Sequence, residues 1–282
     1  NGNGAPAAPT VGDLDGDGTD DIGVRTWGAQ RWAISGKDGR DLWRPSAGVP
    51  FLSTLVVAQD VNQDGARELL ESGNDGVLRL CNGKDGAEIW RCALGRPVRA
   101  IAVAPGTADD ALVCCAGNAE GKIACLTGVT AEVLQVRWTV DVDDVCRQLI
   151  LPGDLDGDGR ADVVAGAENG VVAAFSTAYG KRLWKWQGPD VVRALAALPD
   201  LDGDGVADVA ASLLDGTLTL LPGRPADQSV TASAADAAAS QPSRVRPHAK
   251  QRGATSADVA EVPILLYHDV PPKGLTPAES DP

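Results

Sequence analysis

Apolar residues along this chain come in short runs rich in Val, Leu and Ala, and each run is closed by Gly, Asp or Asn instead of continuing at helical spacing. "LSTLVVAQ" at 52–59, "DVVAGAE" at 162–168, "GVVAAFS" at 170–176 and "VRALAALP" at 192–199 are examples. Short runs bounded by turn formers predict strands. Of the chain's 33 Gly and 18 Pro, 31 and 11 are spread through the first 225 residues, which argues against long helices there. From 225 to 260 the pattern dissolves into Ala, Ser, Gln and Pro with scattered Arg and Lys. Such a composition buries too little apolar surface to offset the entropy of ordering, which predicts a disordered linker there. An apolar run, "EVPILLYHDV", follows at 261.

The strands recur with a period. "GDLDGDGTDDIGV" at 12 returns as "GDLDGDGRADVVA" at 153 and "PDLDGDGVADVAA" at 199, with a weaker copy, "QDVNQDGARELLE", at 59. The acidic loops begin at Asp13, Asp60, Asp154 and Asp200, at spacings of 47, 94 and 46. One copy is therefore expected near 107, where "PGTADDALVCCAG" keeps the strand and has lost most of the loop. A second marker keeps the same time: Trp43 in "DLWR", Trp90 in "EIWR", Trp138 in "VRWT" and Trp184 in "RLWK". A period in the 40s with four short strands per unit predicts an all-β fold, a β-propeller with five visible four-stranded blades over residues 1–224. Each unit reads as strand A, acidic loop, strand B, Gly turn, strand C, and strand D carrying Trp. One such blade cannot bury both of its faces alone, which is the physical reason for repetition. Five blades could close a ring or belong to a larger one, and the sequence leaves both open.

The loops carry the candidate chemistry. In loop numbering, Asp13, Asp15, Asp17 and Asp21 occupy positions 1, 3, 5 and 9. The corresponding sets are Asp60, Asn62, Asp64 and Glu68; Asp154, Asp156, Asp158 and Asp162; and Asp200, Asp202, Asp204 and Asp208. Carboxylates at 1, 3 and 5 can converge as the chain curls, Gly at 6 permits the turn, and the acid at 9 completes an oxygen cage. All-oxygen ligation suits Ca²⁺ and not the metals that prefer thiolate or imidazole. Position 12 is Val24, Glu71, Ala165 or Ala211, and strands follow, so these are not EF-hands. Without a cation the loops would crowd like charges. Three to four structural Ca²⁺ ions are expected, stapling strand A to strand B.

The D-x-D-G-D-G-x-x-D loops running into Val-rich strands resemble FG-GAP (VCBS-type) repeats. "GKDGRDLWR" and "GKDGAEIWR" resemble the Trp-bearing turns of quinoprotein-like propellers. Together the two resemblances cover roughly 8–223 and imply a structural family; no residue set argues for a quinone cofactor. At the far end, "PILLYHDV" resembles the opening strand of NodB-type polysaccharide deacetylases. That resemblance implies a second domain beginning in 261–282, the start of a metal-dependent hydrolase of N-acetyl groups on a cell-surface polysaccharide. Such enzymes use an Asp and an H-x-x-x-H pair. The chain has two His in all, His248 and His268, so the residues at hand cannot assemble that site.

Other features refine the picture. The formal charge of −14 argues against a nucleic-acid binder, which would need a basic face to meet phosphates. No run approaches the roughly 18–20 apolar residues of a helical membrane span. The absence of Met and of a basic, apolar leader reads as a mature or truncated chain. Calcium loops suited to millimolar metal suggest a secreted, periplasmic or cell-surface setting, where disulfides persist. A bridge between Cys114 and Cys125 across the turn "NAEG" is expected in the unit that lost its loop, and a weaker one between Cys81 and Cys92. The periodic Trp residues are expected to pack between blades, while Trp27, Trp32 and Trp186 fall outside the register and are candidates for a sugar-stacking surface. Arg99, Arg147 and Arg193 recur before the loops, and pairing with neighbouring acids is favoured over a cationic ring, because Ser53 and Pro6 occupy the matching places in the first two units. No nucleophile elbow or zinc-protease motif is present. The expectation is a monomeric, non-catalytic module for a protein or glycan ligand; the alternative is the targeting part of a polysaccharide deacetylase.

Overall fold

A computed structural model describes residues 10–25, 31–44, 52–106, 112–128 and 135–224. The expected linker and the deacetylase-like segment lie outside them. Nineteen strands and no helix occur among the described residues. They form five antiparallel sheets, each built from strands consecutive in sequence. The first blade comprises β1 (Thr10–Gly12), β2 (Asp21–Arg25), β3 (Arg31–Ile34) and β4 (Asp41–Trp43). The second comprises β5 (Leu52–Val57), β6 (Leu69–Gly73), β7 (Val77–Cys81) and β8 (Glu88–Ala93). In the third are β9 (Val98–Pro105), β10 (Leu112–Asn118), β11 (Lys122–Gly128) and β12 (Gln135–Asp141). β13 (Cys146–Gly153), β14 (Asp162–Ala167), β15 (Val171–Phe175) and β16 (Arg182–Gln187) make the fourth. β17 (Val192–Leu198), β18 (Asp208–Leu213) and β19 (Leu218–Leu221) make a three-stranded fifth.

The first strand of each blade lies beside the first strand of the next, from β1 through β5, β9 and β13 to β17. Blades therefore stack face to face around an inner line of A strands, the arrangement of a β-propeller. Each interface is a separate apolar layer. Leu70, Leu78, Leu80 and Trp90 of the second blade meet Val98, Ile101 and Leu126 of the third. Cys115, Cys125 and Trp138 of the third meet Val163, Ala165 and Phe175 of the fourth. Val164, Val172 and Trp184 of the fourth meet Val192, Leu195 and Ala211 of the fifth. β14 and β15 are buried on both faces and carry near-continuous apolar sequence, while β16, at the outer edge, alternates.

The Trp residues lock the layers together. Trp43, Trp90, Trp138 and Trp184 are each no more than 8% exposed. Their indole N–H groups reach the C–D turn of the following blade: Trp43 donates to the Gly83 carbonyl, Trp138 to Thr177 (2.8 Å) and Trp184 to Gly223 (2.7 Å). The place that would serve Trp90 lies outside the described residues. Inter-blade packing is thus the role of the periodic Trp.

The fifth blade has one face against the fourth and none of the following layer among the described residues. Leu218 and Leu220 are more than half exposed, whereas Val172 and Ala174, at the same places in the fourth blade, are fully buried. The apolar residue at loop position 2 behaves likewise: Leu14, Val61 and Leu155 are buried, and Leu201 is 59% exposed.

The expected disulfides are not formed, and all six cysteines are free and buried. The partner opposite Cys125 is Cys115, and Cys114 faces Leu126. The turn is one residue longer than a two-residue hairpin: Asn118 accepts from Gly121, whose φ of +82° adds a left-handed residue and moves the register by one. Cys81 lies opposite Glu88 and Cys92 opposite Leu78, so that pair does not meet.

Candidate metal centres

Each acidic loop connects strands A and B of its blade. In the first, Asp13 Oδ1 accepts from the backbone N–H of Gly16 (2.7 Å) and Asp17 (3.1 Å), and Oδ2 from Gly18 (2.9 Å). Asp15 and Asp17 cap the next N–H groups along the chain. Asp154, Asp156 and Asp158 repeat this pattern in the fourth blade. Asp200, Asp202 and Asp204 do so in the fifth. Two left-handed residues, at positions 4 and 6, make the curl possible: Gly16 and Gly18, Gly157 and Gly159, Gly203 and Gly205. In the second loop position 4 is Gln63, held at φ 63°.

Position 9 does more than close a cage. Asp21 Oδ2 accepts from Leu14 N–H (2.8 Å) and Asp15 N–H (3.2 Å), and its Oδ1 accepts from Gly36 N–H (3.0 Å) in the C–D turn. Asp162 is bound the same way by Leu155, Asp156 and Thr177, and Asp208 by Leu201 and Gly223. These buried carboxylates pin the loop to the turn below it. Burial nevertheless pushes the Asp162 carboxyl up to about 7, with the nearby Asp156 and Asp158 charges adding to it against the backbone donors. Burial raises Asp158 as well. At the open rim of the fifth loop, the N–H groups of Gly205 and Gly203 hold Asp200 below its ordinary value.

Carboxylate oxygens converge within 4.8 Å of one another in four groups: Asp13, Asp15 and Asp17; Asp60, Asp64 and Glu68; Asp154, Asp156 and Asp162; and Asp200, Asp202 and Asp208. Asp21, Asp158 and Asp204 stand outside these groups. Asn62 hydrogen-bonds Asp64, its side-chain oxygen accepting from the Asp64 N–H at 2.9 Å. Four oxygen-only clusters in one register could each hold a hard divalent cation.

The second loop differs most. Glu68 is one methylene longer than Asp, and its Oε2 accepts from Val61 N–H (2.8 Å). Oε1 is buried with no hydrogen-bond partner among the described residues. Burial lifts this carboxyl to about 8, with the Asp60 and Asp64 charges contributing. A buried carboxylate oxygen without a donor is costly, by roughly 1–3 kcal/mol or more when ionised.

Three cations that sequence reasoning passed over sit against the loops, among them Arg40, whose guanidinium lies 3.6 Å from Asp15 Oδ2. Lys37 Nζ lies 3.1 Å from Asp17 Oδ2, and Lys84 Nζ lies 3.5 Å from Asp64 Oδ1 while also donating to the Asp64 carbonyl. The hydrogen bond with Lys37 lowers the Asp17 carboxyl and raises the ammonium. The signal was present: both Lys follow position 5 by twenty residues, where the fourth blade has Ala178 and the fifth Arg224. Between the first two blades, Arg31 lies under Glu71 (2.6 Å, close but poorly aligned for a hydrogen bond) and over the Trp43 ring. This is an inter-blade ion pair with both side chains buried.

The remaining expectations divide. Arg147 pairs with the acid Glu168, as expected, whereas Arg99 donates to the Asn74 side-chain oxygen (3.0 Å) and not to an acid. Trp32 is half-buried in the first blade with the Arg44 guanidinium over its ring, and Trp186 packs into the interface of the fourth and fifth blades; Trp27 lies outside the described residues. Among the described residues no helix is long and apolar enough to cross a membrane.

No protein-family model matches the chain, and no curated protein matches it in sequence. Solved structures do match. The chain is similar to BBS1N, crystallised in complex with ARL6DN, at 14% identity over 76% of this chain and 65% of that one, TM-score 0.57. It is similar to Sqt1 of Saccharomyces cerevisiae at 16% identity over 77% of this chain and 59% of that one, TM-score 0.60. The WD40 β-propeller domain of Doa1 matches at 15% identity over 72% of this chain and 60% of that domain chain, TM-score 0.53. Likeness at this identity establishes the fold: the chain is a β-propeller. It spans between 59% and 65% of the length of these three structures.

Proposed function

We propose that this chain is a calcium-stapled β-propeller of the FG-GAP (VCBS) kind, acting outside the cytoplasm as a non-catalytic module that binds a protein ligand. Glu68 carries the calcium part. A carboxylate oxygen of Glu68 lies within 4.8 Å of oxygens of Asp60 and Asp64, its Oε1 is buried without a hydrogen-bond partner among the described residues, and a bound cation would compensate this crowded, under-satisfied carboxylate. The same register supplies the other three clusters, so three to four ions per chain are expected at Asp13–Asp21, Asp60–Glu68, Asp154–Asp162 and Asp200–Asp208. Each would tie strand A to strand B beside the inner line of the ring. The extracytoplasmic setting follows from the calcium reading, since extracellular modules typically hold Ca²⁺ with millimolar affinity.

The binding part rests on architecture. Stacked blades hold many loops on a rigid frame, and one similar propeller was crystallised with a protein partner. A protein ligand is favoured over a glycan because Trp32 and Trp186, two of the three sugar-stacking candidates, are both partly covered by protein. A second reading rests on "PILLYHDV" at 263–270: the propeller localises a NodB-type deacetylase whose first strand that segment would form.

Metal counting by mass spectrometry, after dialysis against about 2 mM CaCl₂, tests the proposal. Three to four ions per chain, falling by one in Asp154→Asn/Asp156→Asn, is the expected result. Less than one ion per chain would overturn it.

A further inference from the structure

The third blade, whose acidic loop has decayed, brings two cysteines face to face. Cys115 on β10 and Cys125 on β11 are directly opposite one another and fully buried. Opposed residues in an antiparallel pair have Cα atoms about 4.5–5.5 Å apart, inside the range of roughly 4.4–6.8 Å that a disulfide spans. Both side chains lie in the layer shared with Trp138 and Phe175. The two nearest competitors are placed differently. Cys114 points to the opposite face, toward the second blade, and the Cys146 thiol is directed at the Gln148 carbonyl, 3.7 Å away.

We propose that Cys115 and Cys125 form a cross-strand disulfide, a covalent tie between β10 and β11 that is independent of the calcium reading. The oxidant is a low-molecular-weight disulfide. The thiolate of one cysteine attacks it, forming a mixed disulfide and releasing one small thiol. The thiolate of the other cysteine then attacks the protein sulfur, releasing the second. Two cysteine thiols are oxidised to one disulfide, the small disulfide is reduced to two thiols, and the cysteine protons pass to them.

Burial decides when this happens. Contact with Cys125 and desolvation hold the Cys115 thiol well above its ordinary range, so the attacking thiolate is scarce once the blades have stacked. The bond therefore forms while the β10–β11 hairpin is still uncovered, and the fourth blade then shields it from reductants. Oxidation removes the Cys125 thiol's contact with the Thr177 carbonyl (3.8 Å), but Trp138 still donates to that oxygen.

The test is to refold the full chain from urea in a glutathione redox buffer or in dithiothreitol, alkylate free thiols under denaturing conditions, and map tryptic peptides. Cleavage at Arg99, Lys122 and Arg137 places Cys114 and Cys115 on one peptide and Cys125 on the next. The expected result is one linked pair, four alkylatable thiols, and a thermal midpoint roughly 5–10 °C above the reduced protein. The link should survive Cys114→Ser and disappear in Cys115→Ser. Six alkylatable thiols after oxidative refolding, or a link from Cys125 to Cys114 or Cys146, would overturn the proposal. The wild-type map alone decides if a variant fails to fold.

Discussion

Replacing Glu68 by Gln probes the least satisfied group in the loops. In metal-free protein the Glu68 carboxyl is raised to about 8 from an ordinary 4.5, chiefly by burial. The folded state therefore holds this proton more tightly than the unfolded chain does. Stability contributed by the protonated form is fully present below the unfolded value and is lost as pH rises through the folded one. At about 1.4 kcal/mol per pH unit, the loss between pH 4.5 and 8 is on the order of 4 kcal/mol. The amide introduced by Glu68→Gln does not titrate and keeps nearly the same shape. In excess EGTA, wild-type stability should thus fall relative to Glu68→Gln across that window, by a midpoint difference of roughly 8–15 °C in thermal scans. Asp162 is raised too, to about 7, so the informative quantity is the difference between the two proteins and not either slope. Saturating calcium should reverse the order, because the ionised carboxylate then has a partner that the amide replaces poorly. Parallel pH profiles for the two proteins in EGTA would refute the reasoning.

Three further substitutions test the packing. Gln63→Gly should stabilise by about 0.5–1 kcal/mol, read from the urea midpoint, because it relieves a left-handed side chain at φ 63°. Leu155→Ala should cost about 2–4 kcal/mol, while Leu201→Ala at the same loop position should cost under about 1 kcal/mol, because Leu155 is 2% exposed and Leu201 59%; equal losses would mean that the fifth blade's face is covered in solution. Trp184→Phe should destabilise by about 1–3 kcal/mol through the lost bond to the Gly223 carbonyl and reduced packing, measured by chemical denaturation.

Much of this fold was legible because two markers kept one period. The strand runs, the acidic loops and the position of Trp in strand D all fell where the repeat put them. Register was harder. Placing Cys114 opposite Cys125 assumed a turn centred on "NAEG", and one left-handed glycine shifts the pairing by a residue, which moves every side chain to the other face. The second role of the position-9 acid was invisible, since Asp21 and Gly36, or Asp162 and Thr177, are fifteen residues apart and meet only when strand C folds back. Lys37 and Lys84 were visible as part of a turn motif but not as neighbours of Asp17 and Asp64. The second loop, with its Asn, Gln and Glu, looked the poorest of the four, yet it holds the one loop carboxylate oxygen that is buried without a hydrogen-bond partner among the described residues.

The central claim is that the acidic loops are calcium staples, and thermal unfolding with about 2 mM CaCl₂ against excess EGTA tests it most directly. The account predicts a single cooperative transition in calcium and a midpoint at least several degrees lower in EGTA, restored when calcium is returned. Superimposable curves in the two buffers would contradict it, leaving the loops as Asp–Gly turns held by their own backbone hydrogen bonds.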